Sequence, residues 1–205
     1  MLKVGLTGGI AAGKSSVGGM FVSLGAHLIQ ADAIAHQLMQ PGEAVYQEVV
    51  RHFGDGILDP DGRINRARLA QAAFAEPPRI RELNRIVHPP VIRRHDEWME
   101  EMGARDPHAI AIVEAALLLE AGLVKHFDRL AVVTCRPEQR IERWAHRMKV
   151  DAETARKEVA RRMAAQLPDE EKIKVADYVI DNSGALEATG QQVQSVYDEL
   201  RKLTL

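Results

Sequence analysis

The chain has one cysteine, Cys135, in 205 residues. No disulfide can form within it, which fits a reducing compartment. No uninterrupted apolar run approaches the roughly 20 residues that cross a bilayer. Met1-Leu2-Lys3 leads straight into a strand-like run, without the pattern of a signal peptide. Neither charge is in surplus: 27 Lys and Arg stand against 29 Asp and Glu, for a net charge of −2. That balance gives no reason to expect a nucleic-acid partner. Repeats, low-complexity tracts and flexible linkers are also missing. The expectation is a cytoplasmic protein, off the membrane, acting as a monomer or weak homo-oligomer. Hydrophobic residues make up 46% of the chain, enough for one sizeable core with a subdomain or two.

The apolar pattern alternates between two periods. Leu2 to Leu6, Ala26 to Gln30, Ala109 to Val113, Leu130 to Thr134 and Tyr178 to Ile180 read as buried strands. Between them lie helical spacings. Val17, Met20, Phe21 and Leu24 share one face before Gly25 stops the helix, and Val193, Val196, Tyr197, Leu200 and Leu203 form a last stripe. Such alternation predicts an α/β fold on a five-stranded parallel sheet. Two stretches hold no strand. Residues near 41 to 104 look helical, with a turn at Asp59-Pro60-Asp61-Gly62 and a break at His88-Pro89-Pro90. Residues near 136 to 175 are helical and rich in charge. Both read as insertions carried by one domain, 1–205.

Gly8-x-x-x-x-Gly13-Lys14-Ser15 lies between the first strand and the first helix. Glycines let successive N–H groups curl inward around an anion, and the helix adds its positive end. Gly9, Ile10, Ala11, Ala12, Gly13, Lys14, Ser15 and Ser16 are therefore expected to hold the phosphates of a nucleoside triphosphate. Lys14 would sit near the β- and γ-phosphates, and Ser15 would offer its hydroxyl to Mg²⁺. The Asn-Lys-x-Asp motif of a GTPase is absent: Asn65, Asn84 and Asn182 have the wrong neighbours. A small chain with two helical insertions suits a small-molecule kinase, one insertion covering ATP and the other holding the acceptor.

Asp32 follows the second strand, where ligands bind in open parallel sheets. It can orient an acceptor hydroxyl toward the γ-phosphorus, or cap a helix that starts near Ala33; both roles are compatible. Glu114, after the third strand, can hold Mg²⁺ directly or through water. Glu120, on a short helix, reads first as a structural or solvated carboxylate. Arg136, Arg140, Arg143 and Arg147 recur every three or four residues, so one helical face can present them. Arg143 and Arg147 are the favoured phosphate contacts on a flap over ATP. Arg140 and Arg156 read instead as parts of a solvated face.

The whole chain resembles the dephospho-coenzyme A kinases. The likeness is carried by LTGGIAAGKSSV from Leu6, QADAIAHQL from Gln30 and PGEAVYQEVVRHFG from Pro41. It continues through DPDGRINRARLAQAAF from Asp59, IVHPPVIRR from Ile86, VEAALLLEAGL from Val113, VVTCRPEQRIERWAHR from Val132 and ADYVIDNSG from Ala176. The resemblance implies a P-loop three-layer fold with a helical acceptor-binding subdomain over 60–104 and a helical lid over 136–168. It implies transfer of the γ-phosphate of ATP, with Mg²⁺, to the ribose 3′-hydroxyl of dephospho-coenzyme A. Asp32, Lys14 and Arg143 would be catalytic; Arg143, Arg147 and Asn182 would join the loop in binding ATP. Asp32, Arg66, His88 and Arg93 would meet the acceptor. For His88, a cap at the helix break is the other reading, and for Asn182 a simple turn residue. Many family members carry Gly-Ser where this chain has Ala11-Ala12, and a proline where it has Glu114-Ala115-Ala116-Leu117. The alternative within enzymes is a nucleoside monophosphate or sugar-acid kinase.

Overall fold

Five strands and nine α-helices are formed among the described residues, Met1–Thr204 of this computed structural model, with the Pro77 side chain left aside. Their order is β1(Leu2–Gly8), α1(Lys14–Ser23), β2(His27–Gln30), α2(Ala31–Leu38), α3(Ala44–Phe53), α4(Arg66–Phe74), α5(Pro77–Arg105), β3(Ile110–Glu114), β4(Arg129–Thr134), α6(Pro137–Met148), α7(Ala152–Ala164), α8(Asp169–Lys174), β5(Tyr178–Asp181) and α9(Leu186–Lys202). The chain divides into two compact units. One is Met1–Ile29 with Met99–Leu205; the other is Gln30–Trp98. The second unit, Gln30–Trp98, overlaps the helical stretch read near 41 to 104 and most of the 60–104 subdomain that the resemblance implies.

The first unit holds the sheet, in the order β2-β3-β1-β4-β5, with all strands parallel. β1 lies at its centre and is buried from Val4 to Gly8: Leu2, Val4 and Leu6 share one face, and on the other Gly5 leaves room for Leu118, Phe127 and Leu130. Leu2 stands opposite Ile110 of β3, and Gly8 opposite Val133 of β4. On one face Val4 and Leu6 pack with Val17 and Phe21 of α1 and with Val193, Val196 and Leu200 of α9. On the other, Leu130 and Val132 pack with Leu118, Leu123, Val124 and Phe127. The expected α1 and α9 stripes are therefore core faces. Leu203 is the exception: it lies past the end of α9 and is exposed. Gly25 closes α1 with φ +105, donating its N–H to Val22 O at 3.0 Å, the left-handed stop that a Cβ resists.

The second unit packs α2, α3, α4 and the first part of α5. Val49, Ile57, Leu69 and Ala73 are buried in it. The turn at Asp59–Gly62 is present, with the Gly62 N–H donating to Asp59 O at 2.9 Å. Asn65 caps α4, accepting from the Ala67 and Arg68 N–H groups at 3.0 Å, and donates to Asp59 Oδ1 at 2.8 Å. The expected break at His88-Pro89-Pro90 does not occur, because α5 runs through both prolines. Each proline removes a helix N–H and disfavours the helical conformation of the residue before it. Burial of Ile86, Val87 and Val91 around them holds the helix against that cost.

Candidate active site

The loop from Gly8 to Gly13 leaves the sheet at the C-terminal end of its central strand. A side chain at Gly8 would strike the Val133 carbonyl oxygen, and one at Gly13, with φ +100, would strike the Asn182 amide. Within the loop the Ala12 N–H donates to Gly9 O at 3.3 Å. Ala11 is left-handed at φ +54, a region unusual for a residue with a Cβ. Lys14 opens α1, and its Nζ donates to Gly8 O at 3.0 Å and Gly9 O at 3.1 Å. The Ser15 hydroxyl donates to Glu114 Oε1 at 2.7 Å. Glu114 is the last residue of β3 and is buried. Ser16 is exposed in the first turn of α1.

Two groups converge on the Ala12 carbonyl. Arg143 Nη1 donates to it at 3.0 Å and Asn182 Nδ2 at 2.9 Å. Arg143 Nη2 also donates to Asn182 O at 2.7 Å. The other end of the Asn182 side chain accepts from the Thr189 hydroxyl at 3.1 Å, and its N–H donates to Thr134 O at 2.9 Å. Asn182 is therefore more than a turn residue: buried, it ties β5 and α9 to the loop.

Arg140 overturns the expectation of a solvated side chain. It is 3% exposed, paired with Asp169 Oδ2, and its guanidinium covers Gly9 so closely that a Cβ there would overlap it. Helical spacing shows which residues share a face but not which element covers that face, and α8 covers this one. Arg147 is exposed, with its guanidinium 4.8 Å from the Trp144 ring centroid; Arg162 lies 4.6 Å from the same ring. Glu158 links Arg161 and Arg162, and the Arg161 hydrogen bonds above all push its pKa down to about 2. Burial pushes the Cys135 thiol up, against the pull of Arg140 and Arg143. Glu120 lies in a run of turns, not a helix. It accepts the Leu167 N–H at 2.8 Å and pairs with the buried Lys172 at 3.2 Å, so its role is structural.

Sequence reasoning passed over Gln166 and Asp169. Gln166 Oε1 accepts the Ile10 N–H at 3.1 Å. No local spacing signals either contact: the partners are 156 and 29 residues apart.

The expected acceptor residues lie in the second unit. Asp32 is exposed in the first turn of α2. It is not a helix cap, because α2 begins at Ala31 and Gln30 takes the capping position; its charge suits the positive helix end. Arg66 is the first residue of α4 and is exposed. His88 and Arg93 are both on α5, five residues apart and so about 140° apart around the axis. His88 is half-buried and its pKa is lowered by that burial, whereas Arg93 is exposed. With α5 unbroken, His88 caps nothing.

A hydroxyl and a carboxylate meeting at the start of α1 offer the hard oxygen ligands that suit Mg²⁺, which keeps substrate phosphates and waters as its other ligands. Among the described residues no three His, Cys, Asp or Glu side chains cluster as a metal cage, and no helix is long and apolar enough to cross a membrane.

Comparison with known proteins agrees with this geometry. The dephospho-CoA kinase family model matches residues 2–188. A dephospho-CoA kinase of Aquifex aeolicus is 40% identical over 98% of this chain and 99% of its own length. One from Thermobifida fusca is 40% identical over 98% of each. A crystal structure from Thermus thermophilus has a TM-score of 0.79 and 33% identity, covering 97% of both chains. A dephospho-CoA kinase from Campylobacter jejuni (TM-score 0.70, 24% identity, covering 99% of this chain and 98% of its own) shares the fold. So does a shikimate kinase from Acinetobacter baumannii (TM-score 0.54, 14% identity, covering 100% and 96%).

Proposed function

The chain belongs to the dephospho-CoA kinase family, enzymes that move the γ-phosphate of ATP to the ribose 3′-hydroxyl of dephospho-CoA in the last step of coenzyme A biosynthesis, and we propose that Asp32, Lys14 and Arg143 carry that transfer here. The observation that supports this most is the glycine loop with its cation. A strand, a tight loop and a helix N-terminus converge, and the Lys14 ammonium already lies on the loop's own carbonyl oxygens.

The loop from Gly9 to Ser16 cradles the triphosphate, with the amides that follow Ile10 turned toward it, and Lys14 turns from the Gly8 and Gly9 carbonyls to the β- and γ-phosphates. Ser15 would hold Mg²⁺, with Glu114 behind it, and the ion would supply positive charge against the phosphates. Arg143, fixed against Ala12 and Asn182, sets positive charge against the negative charge that develops in the loose transition state. Asn182 and Arg147 complete the ATP site. Asp32 accepts a hydrogen bond from the acceptor hydroxyl, aims it at phosphorus, and takes its proton late in the reaction. Arg66, His88 and Arg93 contact the acceptor. The enzyme works in the cytoplasm as a monomer or weak homo-oligomer.

A coupled ADP-release assay with dephospho-CoA, AMP and gluconate as separate acceptors tests the assignment. Turnover is expected with dephospho-CoA alone; equal background with all three would sink it. In the same assay Asp32→Asn is expected to keep ATP binding and lose about 100-fold or more in turnover, the size of losing a positioned base. Unchanged turnover removes Asp32 from the mechanism.

A further inference from the structure

One bond between the lid and the loop serves neither the phosphates nor the acceptor. The Ile10 N–H donates to Gln166 Oε1 at 3.1 Å. Gln166 lies in the connection between α7 and α8. The next residue anchors that connection from behind: the Leu167 N–H donates to Glu120 Oε1 at 2.8 Å, and Glu120 is paired with buried Lys172. The strap therefore has a fixed base and reaches the loop through one amide.

One residue beyond that amide, Ala11 is held at φ +54. Glycine takes this conformation freely, whereas a Cβ crowds the neighbouring carbonyl. Something outside the loop must keep Ala11 there. The lid does so in two ways. Ile10 and Ala11 pack against Trp144, Ala155 and Val159 of α6 and α7, and Gln166 takes the Ile10 N–H. The apolar contact supplies adhesion without direction; the hydrogen bond supplies direction.

We propose that Gln166 is a positioning residue for ATP. By accepting the Ile10 N–H it holds Ala11 in its left-handed conformation and so keeps the following loop amides turned toward the triphosphate. The proposal rests on the reading that the loop from Gly9 to Ser16 binds ATP.

Gln166→Met keeps the side chain's length and removes the acceptor. Titration of the full chain with ATP and Mg²⁺, in the absence of acceptor, is expected to give a Kd about fivefold to tenfold weaker than wild type, the worth of one neutral hydrogen bond. Because the residue acts on binding, KM for ATP rises in step while kcat at saturating ATP and the thermal midpoint stay close to wild type. Adding Ala11→Gly to Gln166→Met is expected to restore most of the affinity, because glycine needs no support at that φ. An unchanged Kd in Gln166→Met overturns the proposal, and so does a weakened Kd that Ala11→Gly fails to recover. Failure of the wild-type chain to bind ATP would instead refute the phosphate-loop reading, so the two failures are distinct.

Discussion

Replacing Asp169 by asparagine keeps its size and removes its charge, which leaves the Arg140 guanidinium buried against Gly9 without a counter-ion. Breaking a fully buried ion pair in this way costs about 3–5 kcal/mol. Here the arginine is 3% exposed and the aspartate 23% exposed. Water therefore reaches one partner, and the cost falls to about 2–3 kcal/mol. A chain of this size loses about 2–4 °C of Tm per kcal/mol, so a fall of about 4–12 °C is expected for Asp169→Asn in a nucleotide-free melt followed by circular dichroism. A second arm separates charge from shape. Arg140→Met combined with Asp169→Leu removes both charges, and an apolar pair of similar volume is expected to recover most of the loss. A Tm within about 1 °C of wild type for Asp169→Asn would refute the reasoning, since Arg140 would then not depend on its partner. A double variant less stable than Asp169→Asn would refute it too.

Gly13→Ala should weaken ATP binding by about tenfold or more, the cost of one strained residue, because φ there is +100 and the new Cβ meets the Asn182 amide; titration with ATP checks this, and unaltered affinity would contradict it. Glu158 has a folded-state pKa of about 2 against the usual 4.5. A depressed carboxylate contributes stability above its unfolded pKa and loses it as pH falls toward the folded one. Glu158→Gln should therefore be less stable than wild type at pH 7, with the gap closing between pH 4.5 and 2 in thermal melts; a gap independent of pH would exclude the arginine contacts as its source.

The elements that sequence predicted well share one trait: their signal is local. β1, the glycine loop and α1 lie within one short stretch, and Val17 and Phe21 are buried as their spacing required. The turn at Asp59–Gly62 and the stop at Gly25 have the same origin, a residue whose own backbone chemistry decides. The errors arose where distant chain intervened. Pro89 and Pro90 read as a break because local rules say so, and buried neighbours overrode them. One reading failed locally: the alternative of Asp32 as a cap placed the start of α2 near Ala33, two residues after its actual start at Ala31. Arg140 read as solvated because nothing near it in sequence announces Asp169.

The sequence by itself determined the ligand class, because a phosphate cradle is made by consecutive backbone amides and needs glycine, lysine and serine at set spacings. It also determined the alternation of strand and helix and, through motif order, the family. Only the tertiary structure decided which arginine is buried against the loop, why Asn182 is held at both ends, and that Gln166 reaches an amide 156 residues away. Those contacts join side chains to elements far along the chain. The strength of such a contact depends on burial and direction, and neither is written in the local pattern of residues.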